Sequence, residues 1–263
     1  MKLSHREVEG RQLNENSLAE AVHQVRENGF VILEKTMRPA WVEKMRKAWD
    51  DHLEGRQPGD LLSMPFLDPL AIENPWAVQI MDILLGCDFW AKLPYHCNST
   101  APNCNETQVI HRDQMHLFPK LPLALPTHML VVNIPLVDFT EANGSTEVWP
   151  GTHLITDHEE TLDPAEGGAA GRLEERAKTV SSIRTNMPAG STVVRDMRVW
   201  HRATPNTTHR RRTMLSLVYH RHFPSLGYQY KAADPLAPEI MAGLSARAQR
   251  IFRFNKEEAH KTG

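Results

Sequence analysis

Three cysteines in 263 residues, Cys87, Cys97 and Cys104, are an odd number and too few for a disulfide framework, so they read as reduced thiols. No stretch approaches the roughly 18 or more consecutive apolar residues that a membrane-crossing helix needs. Neither sign of charge dominates: 30 Lys and Arg face 32 Asp and Glu, a formal net charge of -2. That balance offers no global field to nucleic acid or to an anionic membrane surface. The opening MKLSHREVEGRQ lacks the apolar core of a secretory signal, and the closing AHKTG matches no targeting or lipidation box. The expectation is therefore a cytoplasmic protein. No repeat is visible at the roughly 20–50-residue periods of solenoids and propellers.

What is present falls into two textures. Up to about residue 92 the pattern is mainly helical. Ser17-Leu-Ala-Glu20 has the form of a capping box and predicts a helix with Leu18, Val22 and Val25 on its apolar face and Gly29 as its stop. Phe30-Val-Ile-Leu33 reads as a short buried strand. Pro39 sits where a second helix would start, and Trp41, Met45, Ala48 and Trp49 recur along it as core. Residues 55–75 form a Pro-, Gly- and Asp-rich loop carrying Leu61, Leu62, Met64, Phe66 and Leu67, and a short helix follows around Trp76–Leu85.

From about Leu93, short apolar runs alternate with Pro, Asn and Gly. They predict strands at 106–111, 128–137, 145–149, 180–185, 191–195 and 213–220. Residues 157–178, acidic and poor in large apolar side chains, read as a mobile surface insertion with a helical turn. One helix is predicted near Pro238–Phe252, ahead of a polar end. The fold class is mainly β with flanking helices, a helix-backed, cupin-like jelly roll. A single domain over 1–263 is expected: a helical part at about 1–92, a jelly-roll core at about 93–225 and a helical tail at about 235–263.

The chemistry centres on Gln108-Val-Ile-His111-Arg-Asp113. On a strand, residues i and i+2 point to the same face, so His111 and Asp113 would aim at a common point. An imidazole and a carboxylate so placed are two members of a 2-His-1-carboxylate facial triad, which holds Fe(II) and leaves positions open for O2. His201, in Asp196-Met-Arg-Val-Trp-His201, is the candidate third ligand on another strand. Arg210-Arg-Arg212 leads into the strand after it, and an arginine fork beside a metal suits the carboxylate of a chelating 2-oxo acid. Spacing alone leaves open a redox-neutral, cupin-like metal isomerase and a non-catalytic jelly-roll binding or sensor protein.

Taken in order, three motifs resemble the phytanoyl-CoA dioxygenase family. They are Gln108-x-x-His111-Arg-Asp113, then Asn143-Gly-Ser-Thr-Glu-Val-Trp-Pro-Gly-Thr-His153, then Asp196-x-Arg-x-Trp-His201-Arg-x-x-Pro-Asn206 with Arg212. The likeness spans roughly residues 20–225 and is strongest to the branch of small enzymes of natural-product biosynthesis. It implies a double-stranded β-helix, Fe(II), 2-oxoglutarate as co-substrate, and O2. It implies a dioxygenase that hydroxylates, desaturates or rearranges a C–H position of a small, largely apolar substrate, releasing succinate and CO2. His111, Asp113 and His201 match the iron ligands, and Arg212 matches the partner of the distal carboxylate of 2-oxoglutarate. Gln108, Thr146 and Asn133 match co-substrate contacts. The family often has Gly-Asp before the distal histidine strand, where this chain has Gly190-Ser191. Asp113 in place of Gly or Ala disfavours halogenation. Met64, Phe66, Met115, Phe118 and the 157–178 insertion are candidate substrate contacts. The 55–75 loop and the tail after 235 are candidate surfaces for a homodimer.

Overall fold

The computed structural model describes residues 1–55, 60–118, 121–156, 170–223 and 233–255, the side chains of 170–172 excepted. Its first third is helical because good caps and prolines mark each start. Ser4 and Glu7 form a reciprocal capping box at α1 (His5–Gly10). Asn14, rather than the expected Ser17, caps α2 (Glu15–Asn28): its side chain accepts the Ser17 N–H, so the helix starts earlier than predicted. Gly29 ends α2 at φ 84°, and a Cβ there would lie 2.2 Å from Val199 Cγ2. Pro39 opens α3 (Pro39–Leu53). Asp68 caps α4 (Pro69–Ile72) and Asn74 caps α5 (Pro75–Leu84).

These helices cover one face of a six-stranded sheet. Its order is β1 (Phe30–Leu33), β7 (Thr192–Asp196), β4 (Met129–Pro135), β9 (Arg212–His220) and β2 (Trp90–Ala91). A further strand, β3 (His96–Thr100), pairs with the first half of β9. Every pairing is antiparallel. A second sheet of three strands runs β6 (Ile183–Arg184), β5 (Glu147–Trp149), β8 (Trp200–Arg202). This is a jelly roll, and the texture of the sequence from Leu93 onward reflects it.

The period of two explains why the large sheet is buried on both faces yet carries a polar site. Leu130, Val132 and Ile134 on β4, Leu215, Leu217 and Tyr219 on β9, and Val194 on β7 join the core beneath the helices. Their alternates, Val131 and Asn133, Met214, Ser216 and Val218, Val193 and Arg195, face the space between the sheets. Each large side chain in the helix-facing layer contributes roughly 1.5–3 kcal/mol of burial. The cavity-facing positions are thereby free to carry polar groups.

Several expectations are corrected. The run 106–111 forms no ladder and makes one isolated bridge, His111 to His201. The helix expected over 238–252 is two, α7 (Pro238–Gly243) and α8 (Ala246–Ile251), because Leu244 is extended and Ser245 caps afresh. Residues 157–169 of the expected insertion lie outside the described residues. Its last part is no loose surface: α6 (Ala170–Ala177) buries Leu173 and Ala177 against Ile110, Trp149 and Trp200. The strands β2 and β3 went unpredicted, since β2 is very short and β3 carries no large apolar side chain. Among the described residues no helix is long and apolar enough to cross a membrane.

Candidate metal centre

The centre is built where a loose segment meets the free edge of β8. The His111 N–H donates to the His201 carbonyl at 3.1 Å, and the His201 N–H returns a bond to His111 at 3.0 Å. Residues directly opposite in an antiparallel pair project to the same face. The two imidazoles accordingly stand side by side, ring centres 4.4 Å apart. Past His111 the chain leaves β8, and the Asp113 and Gln114 N–H groups both donate to the Met197 carbonyl at 3.0 and 3.1 Å. Met197 sits in the turn between β7 and β8. That turn is built on a buried pair: Arg198 donates from Nε to Asp196 Oδ1 at 2.9 Å and from Nη2 to Oδ2 at 2.7 Å. Arg198 also donates from Nη1 to the Leu125 carbonyl at 2.9 Å, tying the following loop to the same turn.

Asp113 Oδ1 lies 3.7 Å from His111 Nε2, and Oδ2 lies 3.4 Å from His201 Nε2. Among the described residues this trio is the one group of His, Cys and carboxylate ligand atoms close enough to hold a metal ion, all within 4.8 Å of one another. Its orientation fits that use. His111 Nδ1 is 2.9 Å from the Val109 carbonyl, and His201 Nδ1 is 3.0 Å from the Val199 carbonyl. A carbonyl only accepts, so each Nδ1 carries the proton and each Nε2 presents a lone pair to the centre. Burial, joined by the Arg195 charge, holds the His201 imidazole below its usual range, which keeps it neutral. Burial works to raise the Asp113 carboxyl, but the Arg195 guanidinium and His201 hold it well below the usual carboxylate range. Two imidazoles and one carboxylate suit a divalent ion such as Fe(II).

A cavity of about 670 Å³ opens beside the trio, between the two sheets. Arg212 lies at its wall, 4% exposed, at the head of β9. Nη2 donates to Thr100 Oγ1 at 2.5 Å, and the guanidinium lies over the Phe139 ring, 4.8 Å from its centre. Nε and Nη1 are buried and have no hydrogen-bond partner among the described residues. Unmet donors on a buried cation are costly, and a carboxylate arriving from the cavity would meet the charge and at least one of these donors. Burial, together with the nearby Arg184, lowers the Arg212 pKa to about 10, so it stays cationic at neutral pH. These residues fit a divalent metal and a dianionic 2-oxo acid.

The remaining expected contacts divide. Gln108, Thr146 and Asn133 all line the cavity. Asn133 donates from Nδ2 to Ser216 Oγ at 3.1 Å, and Thr146 immediately precedes β5 rather than lying within it. The Asn143-Gly144 turn that aims Thr146 needs its glycine: φ is 80°, and a Cβ would lie 2.4 Å from the Thr204 carbonyl oxygen. None of the four proposed substrate contacts reaches the cavity. Phe66 is buried edge-on against Trp49, ring centres 4.9 Å apart, because the 55–75 loop packs into the helical core. Met64 is exposed in a separate apolar groove with Leu67, Ile240 and Leu244. Met115 is half-buried and Phe118 exposed, and neither is among the residues that line the cavity.

The sequence reading missed Arg195, which donates from Nη2 to Asp113 Oδ2 at 2.6 Å. A charged residue inside the apolar run Thr192-Val-Val-Arg195 was the available signal. It also missed Thr100, Thr185, Ser216 and the polar strand β3, all on the cavity wall.

Residues 70–214, more than half of the chain, match the family model of phytanoyl-CoA dioxygenase. The chain belongs to the phytanoyl-CoA dioxygenase family. It is an enzyme of the non-haem iron, 2-oxoglutarate-dependent class, with O2 as the family's oxidant. Solved structures share the fold. The non-heme alpha ketoglutarate dependent carbocyclase SnoK from nogalamycin biosynthesis is 22% identical, with a TM-score of 0.64 over 89% of this chain and 96% of that one. The epimerase SnoN of the same pathway is 16% identical, with a TM-score of 0.59 over 86% and 91%. SnoN in complex with Fe3+, alpha ketoglutarate and nogalamycin RO gives 18% and 0.63 over 85% and 94%.

Proposed function

We propose that this enzyme oxidises a C–H position of a small natural-product-type molecule, with iron held by His111, Asp113 and His201 and 2-oxoglutarate anchored by Arg212. The observation that carries this reading is that Arg212 lines the same cavity as the three candidate ligands with two buried donors, Nε and Nη1, that no described residue satisfies. A redox-neutral metal isomerase or a passive binding module would have no use for them.

When bound, iron together with 2-oxoglutarate and O2 supplies the power to attack an unactivated C–H bond, with succinate and CO2 as the co-products. The chain's own residues supply geometry and field. His111 and His201 present Nε2 lone pairs, and their Nδ1–H bonds keep the rings from turning. Arg212 receives the distal carboxylate of the co-substrate, while Thr146, Asn133 and Gln108 wall its path to the metal. Val131, Val148, Val193 and Met214 exclude water around these charges and strengthen their interactions.

The substrate side of the cavity combines these apolar walls with His96, Asn98 and Thr185. The fitting substrate has an apolar skeleton bearing oxygen functions that can meet such groups. Carbocycle formation and epimerisation, the activities of the two nogalamycin enzymes, are open outcomes beside hydroxylation and desaturation. The test is aerobic turnover with Fe(II), 2-oxoglutarate and a panel of polyketide, terpenoid and alkaloid scaffolds. Succinate release stimulated by one scaffold class, with a matching product mass, is expected. Absence of succinate with Fe(II) and 2-oxoglutarate at saturation contradicts the reading.

A further inference from the structure

β7 carries Arg195 where packing alone calls for an apolar side chain. Its ladder partners are Phe30 on β1 and Val131 on β4, and it is 8% exposed. Burying a guanidinium between such neighbours is unfavourable unless it is paired. Among the described residues its side-chain pairing is directed at the candidate ligands. Nη2 donates to Asp113 Oδ2 at 2.6 Å, and Nη1 lies 3.3 Å from His201 Nδ1. The His201 Nδ1–H is committed to the Val199 carbonyl at 3.0 Å, so Arg195 acts on that ring as a neighbouring charge.

The consequence for Asp113 is geometric. Its backbone N–H is tied to the Met197 carbonyl, and one carboxylate oxygen is tied to Arg195. An untied carboxylate can turn and chelate a metal through both oxygens, filling a position that a co-substrate needs. Oδ1, which faces His111 Nε2 at 3.7 Å, is left with its lone pairs unshared. We propose that Arg195 is a positioning residue of the metal centre: by holding Oδ2 of Asp113 it makes the carboxylate a one-oxygen ligand and keeps the metal's remaining positions open. Its charge also cancels that of Asp113, so a divalent ion keeps its full attraction for an anionic co-substrate. The inference rests on the ligand assignment made under the proposed function.

The test compares full-length wild type, Arg195→Met and Arg195→Lys. Fe(II) and Mn(II) affinities are measured anaerobically by calorimetry, the Co(II) d–d spectrum reports coordination, and thermal unfolding is recorded without metal. Loss of an outer partner of a metal ligand typically costs about 10–100-fold in affinity. Arg195→Met is expected to weaken metal binding to that extent and to alter the Co(II) spectrum. Its metal-free unfolding stays close to wild type, and Arg195→Lys recovers part of the affinity. Wild-type affinity and an unchanged Co(II) spectrum in Arg195→Met would overturn the proposal. So would an Arg195→Met protein that is unfolded before metal is added, since Arg195 would then hold the fold. If wild type itself binds none of the three metals, the ligand assignment fails rather than the role given to Arg195.

Discussion

Gln108 and Ala203 hold each other twice. The Gln108 N–H donates to the Ala203 carbonyl at 3.1 Å, and the Ala203 N–H donates to the Gln108 side-chain Oε1 at 3.0 Å. The next pairing along the same edge is His111 with His201. The ligand segment thus takes one more residue than β8 to cover the same distance, which is a bulge. Strict alternation would send Gln108 to the opposite side from His111. The bulge returns it to the cavity wall.

Gln108 therefore has a structural task beside any contact with co-substrate. Gln108→Ala leaves the Ala203 N–H without its acceptor, a loss of about 1 kcal/mol, and loosens His111. Metal affinity is expected to fall about tenfold. Gln108→Glu keeps an acceptor for Ala203, so it retains metal affinity while repelling 2-oxoglutarate. Parallel titrations of metal and co-substrate distinguish the two, and equal metal loss in both variants contradicts the assignment.

Arg212→Met removes the two open donors and leaves the trio untouched. 2-Oxoglutarate should bind the Mn(II)-loaded variant about 10- to 100-fold more weakly, in line with the roughly 1.5–3 kcal/mol of a charge-assisted hydrogen bond. Mn(II) affinity itself stays near wild type. Arg212→Lys, which keeps charge but not the planar fork, should fall between. Unchanged 2-oxoglutarate binding in Arg212→Met would remove the anchor from the account.

Leu173 couples a distant helix to the ligand segment. It is 2% exposed against Ile110, Trp149 and Trp200, and the next residue, Glu174, accepts the Ile110 N–H at 3.0 Å. Leu173→Ala opens a cavity beside the residue that precedes His111. The expected cost is about 2–5 kcal/mol in chemical unfolding, accompanied by weaker metal binding. A variant with full stability would place the packing of α6 outside the core.

Acid should weaken the fold through its buried histidines. Burial, aided by neighbouring cations, depresses the pKa of each of His116, His128 and His220 to about 4. Unfolded histidine titrates near 6.5, so between about 6.5 and 4 the unfolded chain binds more protons than the folded one. Stability is present above that window and is lost as pH falls through it. Urea midpoints for the metal-free protein should decline steadily from pH 7 to pH 4.5. A flat profile would mean that these imidazoles are solvated.

The candidate trio His111, Asp113 and His201, with Arg212, stands out in the sequence because such chemistry requires particular residue types in a particular order, and the fold brings all four to one cavity. Core strands such as Met129–Pro135 were legible because their apolar runs are nearly continuous, here broken only by Asn133. What escaped depends on tertiary pairing. The polar β3 forms only because β9 offers an edge, and the 106–111 run falls short of a strand because the extra residue between Gln108 and His111 breaks its register with β8. Arg195 was visible as a charge in an apolar strand, but its partner lies on another element. Phe66 escaped for a related reason: it looks like a loop side chain in sequence, and its burial against Trp49 is decided by how that loop folds back.

The most direct test of the central claim is an anaerobic absorption titration of the full-length protein with Fe(II) and then 2-oxoglutarate. Chelation of the iron by the co-substrate gives a visible metal-to-ligand charge-transfer band. The account predicts that band in wild type, its loss in His111→Ala and His201→Ala, and its retention in Arg212→Met only at much higher 2-oxoglutarate. No band in wild type, or a band unchanged in His111→Ala, would contradict it.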